Sequence, residues 1–315
     1  MYNQSEALLE QYDLDIKQIT KGRGAYICDT SQGLKLLIPF RGSKERAAFL
    51  REVLQYLQEE GIVAEQVCLT KEGEASVEDE YGKRYWLKDM ISGTEYKEMT
   101  KEILAQSDLW AEIKKKADQK QKNADQMLIG IKPNLVSPTE ASYGATTHPE
   151  IVAGIIEYLQ ERSCQHIVML ESSWVGDKTS ESMEVCGYDR LVEKYNVPFW
   201  DMQLDESSEV DCAGMKLQIC SSVRKLDFLI NVPVLKGHCQ TKITCALKNM
   251  KGLIPNKEKR HFHKLGLHKP IAHLNVGIHQ DFIVVDNICG DLDFEDGGNP
   301  VVMNRILTAK DPVLC

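Results

Sequence analysis

From Met127 onward, short continuous apolar runs alternate with stretches of helical period, and that alternation leaves few folds open. MLIGI, HIVMLE, LDFLINVPVL and DFIVVDNIC lack polar alternation, as strands buried on both faces require. VPFWDM and VVMNRILTA add two strand-like runs. Between them, HPEIVAGIIEYLQERS and TSESMEVCGYDRLVEKY carry apolar residues at helical spacing. Strands separated by helices pair in parallel and cover both sheet faces with helices. The predicted fold class is therefore α/β: over residues 126–315, a mostly parallel sheet with helices on both faces. Ligands of such sheets gather beyond the carboxyl ends of the strands.

Residues 1–95 read differently. IKQI, GAYICDT and LKLLIPF are short β-type runs, with turns at Lys21-Gly22 and Gln32-Gly33. Ser43 is placed to cap the helix SKERAAFLREVLQYLQEEG. Ala47, Leu50, Val53, Leu54 and Leu57 form its apolar face, and Gly61 is its stop. QVCLT, EASVED and RYWLKDM follow as strands, so a small α+β domain precedes the α/β one. Residues 96–125 are helical and densely charged and read as a connector, with Leu104, Leu109, Trp110 and Ile113 as its buried stripe.

The bulk properties narrow the function. A net charge of −9 over 315 residues argues against a nucleic-acid partner. No run approaches the ~18 consecutive apolar residues of a membrane span, and MYNQSEALLEQYDLD has no secretory pattern. The ten cysteines contain no C-x-x-C pair, so no intrinsic iron–sulfur or zinc-ribbon motif is present, and the cofactor stays undefined. Scattered cysteines without export point to the reducing cytoplasm.

The predicted strand ends lead into polar groups. Lys132 and Asn134 follow the first strand, with Thr147 and His148 at the head of the next helix. Glu171, Trp174 and Lys178 follow the second strand. Lys236, His238, Thr241 and Lys242 follow the third. The segment 236–269 holds eight lysines and Arg260 against one acid, Glu258, a net +8 in a chain whose remainder carries −17. Six of the eight histidines fall within 238–279. Such an island suits phosphate or carboxylate. Thr241 is predicted to cap a helix TKITCALKNMKG, with free N–H groups beside Lys236 and His238 as an anion site. Lys248, Asn249 and Lys251 lie on that helix as further ligand contacts. Lys236, His238, Glu171 and Asp286 are the catalytic candidates, as acid, base or charge balance. The lysines at 257–269 have a second reading, as the solvated face of a helix. His261 and His263 flank Phe262 at the two-residue spacing that puts two imidazoles on one side of an extended segment. With His268 they are metal candidates, although Lys264 opposes a cation. DLDFEDGG, 291–298, reads as a turn, since it lacks the full calcium-loop spacing.

IKPNLVSP, GATTHPEIVAGIIEYL, HIVMLESSWVGDKT, LDFLINVPVLKGHCQTKITCALKNMKGLIP and IVVDNI resemble the domain of unknown function family 362, over residues 108–315. KGH and ALKNMKG are the most specific of these stretches. The resemblance implies a fold and a site, not a reaction. Some relatives carry ferredoxin-like iron–sulfur modules, and relatives continue past TAKDPVLC into another helix, so the domain here reads as truncated. The layout is also distantly similar to the nickel-pincer lactate racemases. That likeness implies Lys236 or Lys248 as holder of a pyridinium-type cofactor, His148 or His238 as proton carrier, and a racemase- or reductase-like reaction. Residues 12–95 resemble the N-terminal lobe of CotS-like spore-coat and aminoglycoside-phosphotransferase-type kinases. Lys35 then matches the strand lysine, and Glu45 or Glu52 its helix partner. The catalytic lobe does not follow Glu95, so the carboxylates and metals of phosphoryl transfer are missing and no active kinase is expected. The module then reads as a relic, a docking unit for a protein partner or a non-catalytic nucleotide binder. Two functions stand side by side: an enzyme acting on an anionic small molecule, and a non-catalytic, sporulation-linked binding module. Neither nucleic acid nor membrane is an expected partner.

Overall fold

The computed structural model describes residues 4–21, 25–60, 66–89 and 93–315. The chain divides into two compact units, Met1–Ser92 and Gly93–Cys315. The turn expected at Lys21-Gly22 and the helix stop expected at Gly61 lie outside the described residues.

In the first unit, helix α1 (Gln4–Leu9) precedes strands β1 (Ile16–Lys21), β2 (Tyr26–Thr30) and β3 (Gly33–Pro39). Helix α2 (Lys44–Glu59) and strands β4 (Val77–Glu78) and β5 (Arg84–Asp89) follow. The antiparallel sheet runs β1-β2-β3-β5-β4. Ser43 caps α2 as the sequence predicts, accepting from the Arg46 amide at 3.3 Å. Two strands fall short of their expectation. QVCLT is reduced to one bridge, Val67 to Lys88, and EASVED to the two residues of β4. Only Ala47 of the predicted α2 face is fully buried, and Val53 is exposed. Lys35 is buried on β3, but its ion-pair partner is Asp89 on the adjacent β5. Glu45 and Glu52 point to solvent on α2, so the expected helix partner is replaced by a cross-strand one.

The second unit opens with helices α3 (Gly93–Gln106) and α4 (Leu109–Gln119), so the stretch read as a connector lies inside this unit. Leu104, Leu109 and Ile113 are buried there. Then come β6 (Ile129–Lys132), α5 (Pro149–Gln160), β7 (Ile167–Glu171), α6 (Thr179–Val185), α7 (Tyr188–Tyr195) and β8 (Phe199–Asp201). A hairpin, β9 (Ser207–Cys212) and β10 (Met215–Cys220), precedes β11 (Phe228–Asn231). A second hairpin, β12 (Lys236–His238) and β13 (Lys242–Thr244), leads into helices α8 (Ala246–Asn249), α9 (Asn256–Leu265) and α10 (His268–Gly277). The chain ends with β14 (Phe282–Asp291) and β15 (Pro300–Ala309).

The main sheet has the order β15-β14-β11-β6-β7-β8. Five strands are parallel, and β15 runs antiparallel at one edge. Every residue of β6, β7, β11 and β14 is buried, as their unbroken apolar runs require. Eight of the twelve residues of α5 are buried, more than one amphipathic stripe would give, because α5 packs against both α3 and α7. Each buried Ile or Leu side chain there is worth about 1.5–3 kcal/mol. Cys212, Leu217 and Ile219 of the β9–β10 hairpin join Phe262, Ile271 and Leu274 of α9 and α10 in a second layer over Leu170 and Leu229. No helix among the described residues is long and apolar enough to cross a membrane.

Candidate functional site

The parallel strands deliver their last residues to one cleft. Lys132 ends β6 and Glu171 ends the neighbouring β7, and the two form an ion pair with essentially no solvent contact. Lys132 Nζ also donates to the Pro133 carbonyl at 2.8 Å. Burial pulls the Lys132 ammonium down and pushes the Glu171 carboxyl up, while their mutual attraction opposes both shifts. A Cβ at Gly252 would collide with the Glu171 carboxylate, so only glycine lets the turn after α8 cross there.

Above this pair opens a cleft of about 340 Å³. Its walls include Asn134, Ser172, Ser173, Trp174, His238, Lys248, Asn249, Lys251, Lys259, His263, Glu295 and Asp296. Three lysines reach it from α8, from the turn that follows and from α9, and their surroundings differ. Lys259 Nζ donates to Ser172 O at 2.9 Å, Ser172 Oγ at 2.6 Å and Ser173 O at 2.6 Å. Three acceptors require all three ammonium protons, although burial lowers this group to about 8. Lys251 Nζ lies 3.4 Å from His263 Nε2. Burial, then the neighbouring Lys248, lowers it to about 7. Lys248 makes no hydrogen bond or ion pair among the described residues, and burial lowers it to about 8.

The two histidines of the cleft hold opposite tautomers. His238 Nδ1 accepts from the Gln240 amide at 3.0 Å and the Thr241 amide at 3.2 Å. The ring hydrogen therefore sits on Nε2, which faces Glu295 Oε1 at 3.5 Å. Burial, then Lys248, holds His238 down to about 4, so the imidazole is neutral at pH 7. His263 Nδ1 lies 3.1 Å from Gln240 Oε1, which can only accept. Its Nε2 thus offers a lone pair to Lys251. Burial lowers His263 too, followed by the charges of Lys251 and Lys248.

Glu295 arrives from the loop between β14 and β15. Asp291 holds that loop as the expected turn, Oδ1 accepting from the amides of Asp293 and Phe294 and Oδ2 from that of Asn299. The loop backbone presses on β12 so closely that a Cβ at Gly237 would strike Leu292. Glu295 Oε2 accepts from the Cys239 amide at 3.0 Å, and Oε1 lies 3.0 Å from Cys239 Sγ. Burial would raise this carboxyl, but the Cys239 contacts and His238 bring it to about 2. Among the described residues, His238, Cys239 and Glu295 alone group with metal-ligand spacing, their ligand atoms within 4.8 Å of one another. A ligating imidazole normally donates through its other nitrogen. His238 Nδ1 accepts two amide hydrogens instead, so the arrangement suits a hydrogen-bond donor better than a metal ligand.

Several predicted residues take other places. The helix capped by Thr241 does not form: residues 236–244 are the β12–β13 hairpin, and α8 starts only at Ala246. Thr241, Ile243 and Thr244 are β-branched and favour a strand. Thr241 Oγ1 donates to Ile243 O at the hairpin tip, and Lys242 is exposed there with φ 67°. Lys178 is exposed beside Glu181. Lys236 is buried behind the cleft, its Nζ donating to the carbonyls of Ala145 and Glu295, and burial lowers it to about 7. Asp286 is in the middle of β14, not at a strand end. It accepts from His148 N and pairs with His148 Nδ1, both at 2.8 Å. Thr147 Oγ1 bridges the Asn134 amide and Val232 O, each at 2.8 Å. The extended segment expected for His261 and His263 is helix α9, where alternate residues diverge and Phe262 turns inward. His261, His263 and His268 are exposed and form no metal-spaced group among the described residues.

Lys259 and Glu295 are the site residues that sequence reasoning missed. The four-residue spacing of Lys259 and His263 was a usable signal, since it puts both on one face of a helix. Glu295 carried none, because a long-range loop contact delivers it.

A family described as Domain of unknown function (DUF362) matches residues 129–315. A thylakoid-associated protein of Synechocystis sp. is 28% identical over 142 residues, 45% of this chain and 43% of that one. Among solved structures, a Thermotoga maritima protein from structural genomics aligns with a TM-score of 0.43 and 12% identity, covering 72% of this chain and 57% of that one. The lactate racemase apoprotein of Thermoanaerobacterium thermosaccharolyticum gives a TM-score of 0.34 and 16% identity, over 58% and 45%. An aminoglycoside phosphotransferase of Alicyclobacillus acidocaldarius gives 0.26 and 16%, over 38% and 45%. The chain thus spans less than half the length of the Synechocystis relative and of this phosphotransferase.

Proposed function

Since the chain belongs to the DUF362 family, whose name carries no reaction, we infer its function from the cleft: an enzyme that binds a small carboxylate- or phosphate-bearing molecule and moves a proton on it. The observation that carries this reading is Lys248, a half-buried lysine with no hydrogen-bond or ion-pair partner among the described residues, in a cleft of about 340 Å³. Holding a lysine partly out of water without a hydrogen-bonded partner disfavours its charge, and an anionic ligand offsets that cost. The volume suits a small metabolite. Lys248 grips the anion beside Lys251, with Asn249 and Trp174 at the walls. His238 Nε2–H is a donor and His263 Nε2 an acceptor on the same cavity, the pairing that general acid–base chemistry needs.

The ten free cysteines suit a reducing compartment, and we assign the protein to the cytoplasm. Nucleic acid is not its partner. The first unit is a docking module for a protein. Thermal unfolding against phosphate, oxalate, citrate and 2-hydroxybutyrate tests the anion site. At least one should raise the melting temperature of the wild type and fail to raise that of Lys248→Ala. Stabilisation by none, or equal stabilisation of both proteins, would remove this reading. Saturable binding without turnover in any condition would favour the non-catalytic module.

A further inference from the structure

We propose that Lys251 forms an imine with the carbonyl carbon of a small 2-oxo acid, whose carboxylate Lys248 holds. The proposal rests on the anion-binding reading above and names its substrate class. Five lysine side chains surround the cleft, and four are unsuited to nucleophilic attack. Lys132 is tied to Glu171, and Lys259 spends three protons on Ser172 and Ser173. Lys236 lies behind the wall, bound to two backbone carbonyls. Lys248 hydrogen-bonds to no base among the described residues, although Glu295 and Asp296 act on it through space. Lys251 lines the cleft, makes no ion pair among the described residues, and faces the unprotonated Nε2 of His263 at 3.4 Å.

The groups facing Lys251 favour the free amine. Lys248 from α8 and Lys259 from α9 repel its proton, and Glu295 from the β14–β15 loop opposes them. A value of about 7 leaves a large neutral fraction at physiological pH. Desolvation beside a second cation is a recognised way to activate a lysine. In the reaction the amine adds to the carbonyl carbon and the C=O π pair moves to oxygen. His263 Nε2 takes up an amine hydrogen and passes it on. Both amine hydrogens leave on that oxygen as water while the nitrogen lone pair closes the C=N bond. One water is released per imine, and no oxidant or reductant is consumed. The carbon next to the imine is then acidified, within reach of the proton-moving imidazoles.

The test incubates the whole chain with 2-oxobutyrate and sodium cyanoborohydride at neutral pH and maps the reduced adduct by peptide mass spectrometry. The expected result is one adduct per chain, on Lys251, absent in Lys251→Arg and at least tenfold slower to form in Lys248→Met. Adduct formation should rise with pH through about 7 and then level off. No adduct, or adducts spread over exposed lysines such as Lys242 with Lys251 spared, would overturn the imine. Should Lys251→Arg fail to fold, the wild-type peptide map decides alone. Calorimetry with 2-hydroxybutyrate, which has no electrophilic carbonyl, separates the two claims. Its binding without any oxo-acid adduct defeats the imine and leaves the anion site, and failure of both probes defeats both.

Discussion

Two histidine–carboxylate pairs in this chain behave in opposite ways. His148 and Asp286 meet at 2.8 Å between α5 and β14, and His238 and Glu295 at 3.5 Å across the cleft. Both imidazoles are buried, which disfavours their charged form. For His148, the Asp286 carboxylate outweighs burial, and the ring is held well above the ordinary 6.5. For His238, Lys248, Lys251 and Lys236 add to burial, and the ring falls to about 4. A nearby carboxylate therefore does not fix a histidine's charge; the sum of the surrounding field does. The first is an ion pair that also fixes the start of α5 through the His148 amide. The second is a neutral donor poised in a cationic cavity.

The largest effect expected from this contrast is on stability. Asp286→Ala leaves His148 without its counter-ion and orphans its amide, and should cost about 3–5 kcal/mol in urea unfolding. Glu295→Ala, by the same measure, should cost less than half of that. Equal losses would break the comparison. The pH profile sharpens it. A raised folded-state value means that the His148 contribution is complete below about pH 6.5 and fades as pH climbs through that raised value. The stability advantage of the wild type over His148→Asn should therefore shrink under alkaline conditions.

Next in size is ligand affinity. Lys248→Met should weaken the best anion by about 10–100-fold, the worth of a charge-assisted hydrogen bond. It should leave stability unchanged or slightly higher, because it removes a half-buried cation without a partner among the described residues. The same variant should lift His238 from about 4 toward its ordinary value in an NMR titration, because Lys248 follows burial as a cause of its depression. Lysines lowered to about 7 and 8 bind fewer protons folded than unfolded up to about pH 10.4, so stability without ligand should rise with pH over that range. The double variant Lys248→Met with Lys251→Met should lessen the rise, while Lys236 and Lys259 keep part of it. The smallest effect belongs to Lys242→Ala on the exposed hairpin, within about ±0.5 kcal/mol in stability and without change in anion binding. A tenfold loss of binding there would move the site to the hairpin tip.

The sheet was legible because a strand buried on both faces must read as an unbroken apolar run. The ends of MLIGI and HIVMLE led to Lys132 and Glu171 for the same reason. The KGH and ALKNMKG stretch lines one wall of the cleft, although its secondary structure came out differently. Helical spacing around Ala246 competes there with β-branched Thr241, Ile243 and Thr244, and Lys236 to His238 supply the pairing strand that decides it. Asp286 looked like a strand-end residue because it follows the apolar run Phe282–Val285, but β14 continues through Asn287, Ile288 and Cys289 to Asp291. Burial of a polar pair such as His148–Asp286 leaves no periodic trace. Lys259 hid among lysines that a solvated helix face also explains, and only the fold shows Ser172 and Ser173 above it.

The central claim is that the cleft's lysines await an anion, and proton-linked calorimetry tests it most directly. Phosphate, oxalate and 2-hydroxybutyrate would each be titrated at pH 8.5–9, above the values of about 7 and 8 for Lys251 and Lys248, in two buffers of different ionisation enthalpy. The account predicts saturable binding with net proton uptake, because a bound anion raises the lysine values, and loss of both in Lys248→Met. Binding with no proton uptake, or uptake unaltered in that variant, would contradict it.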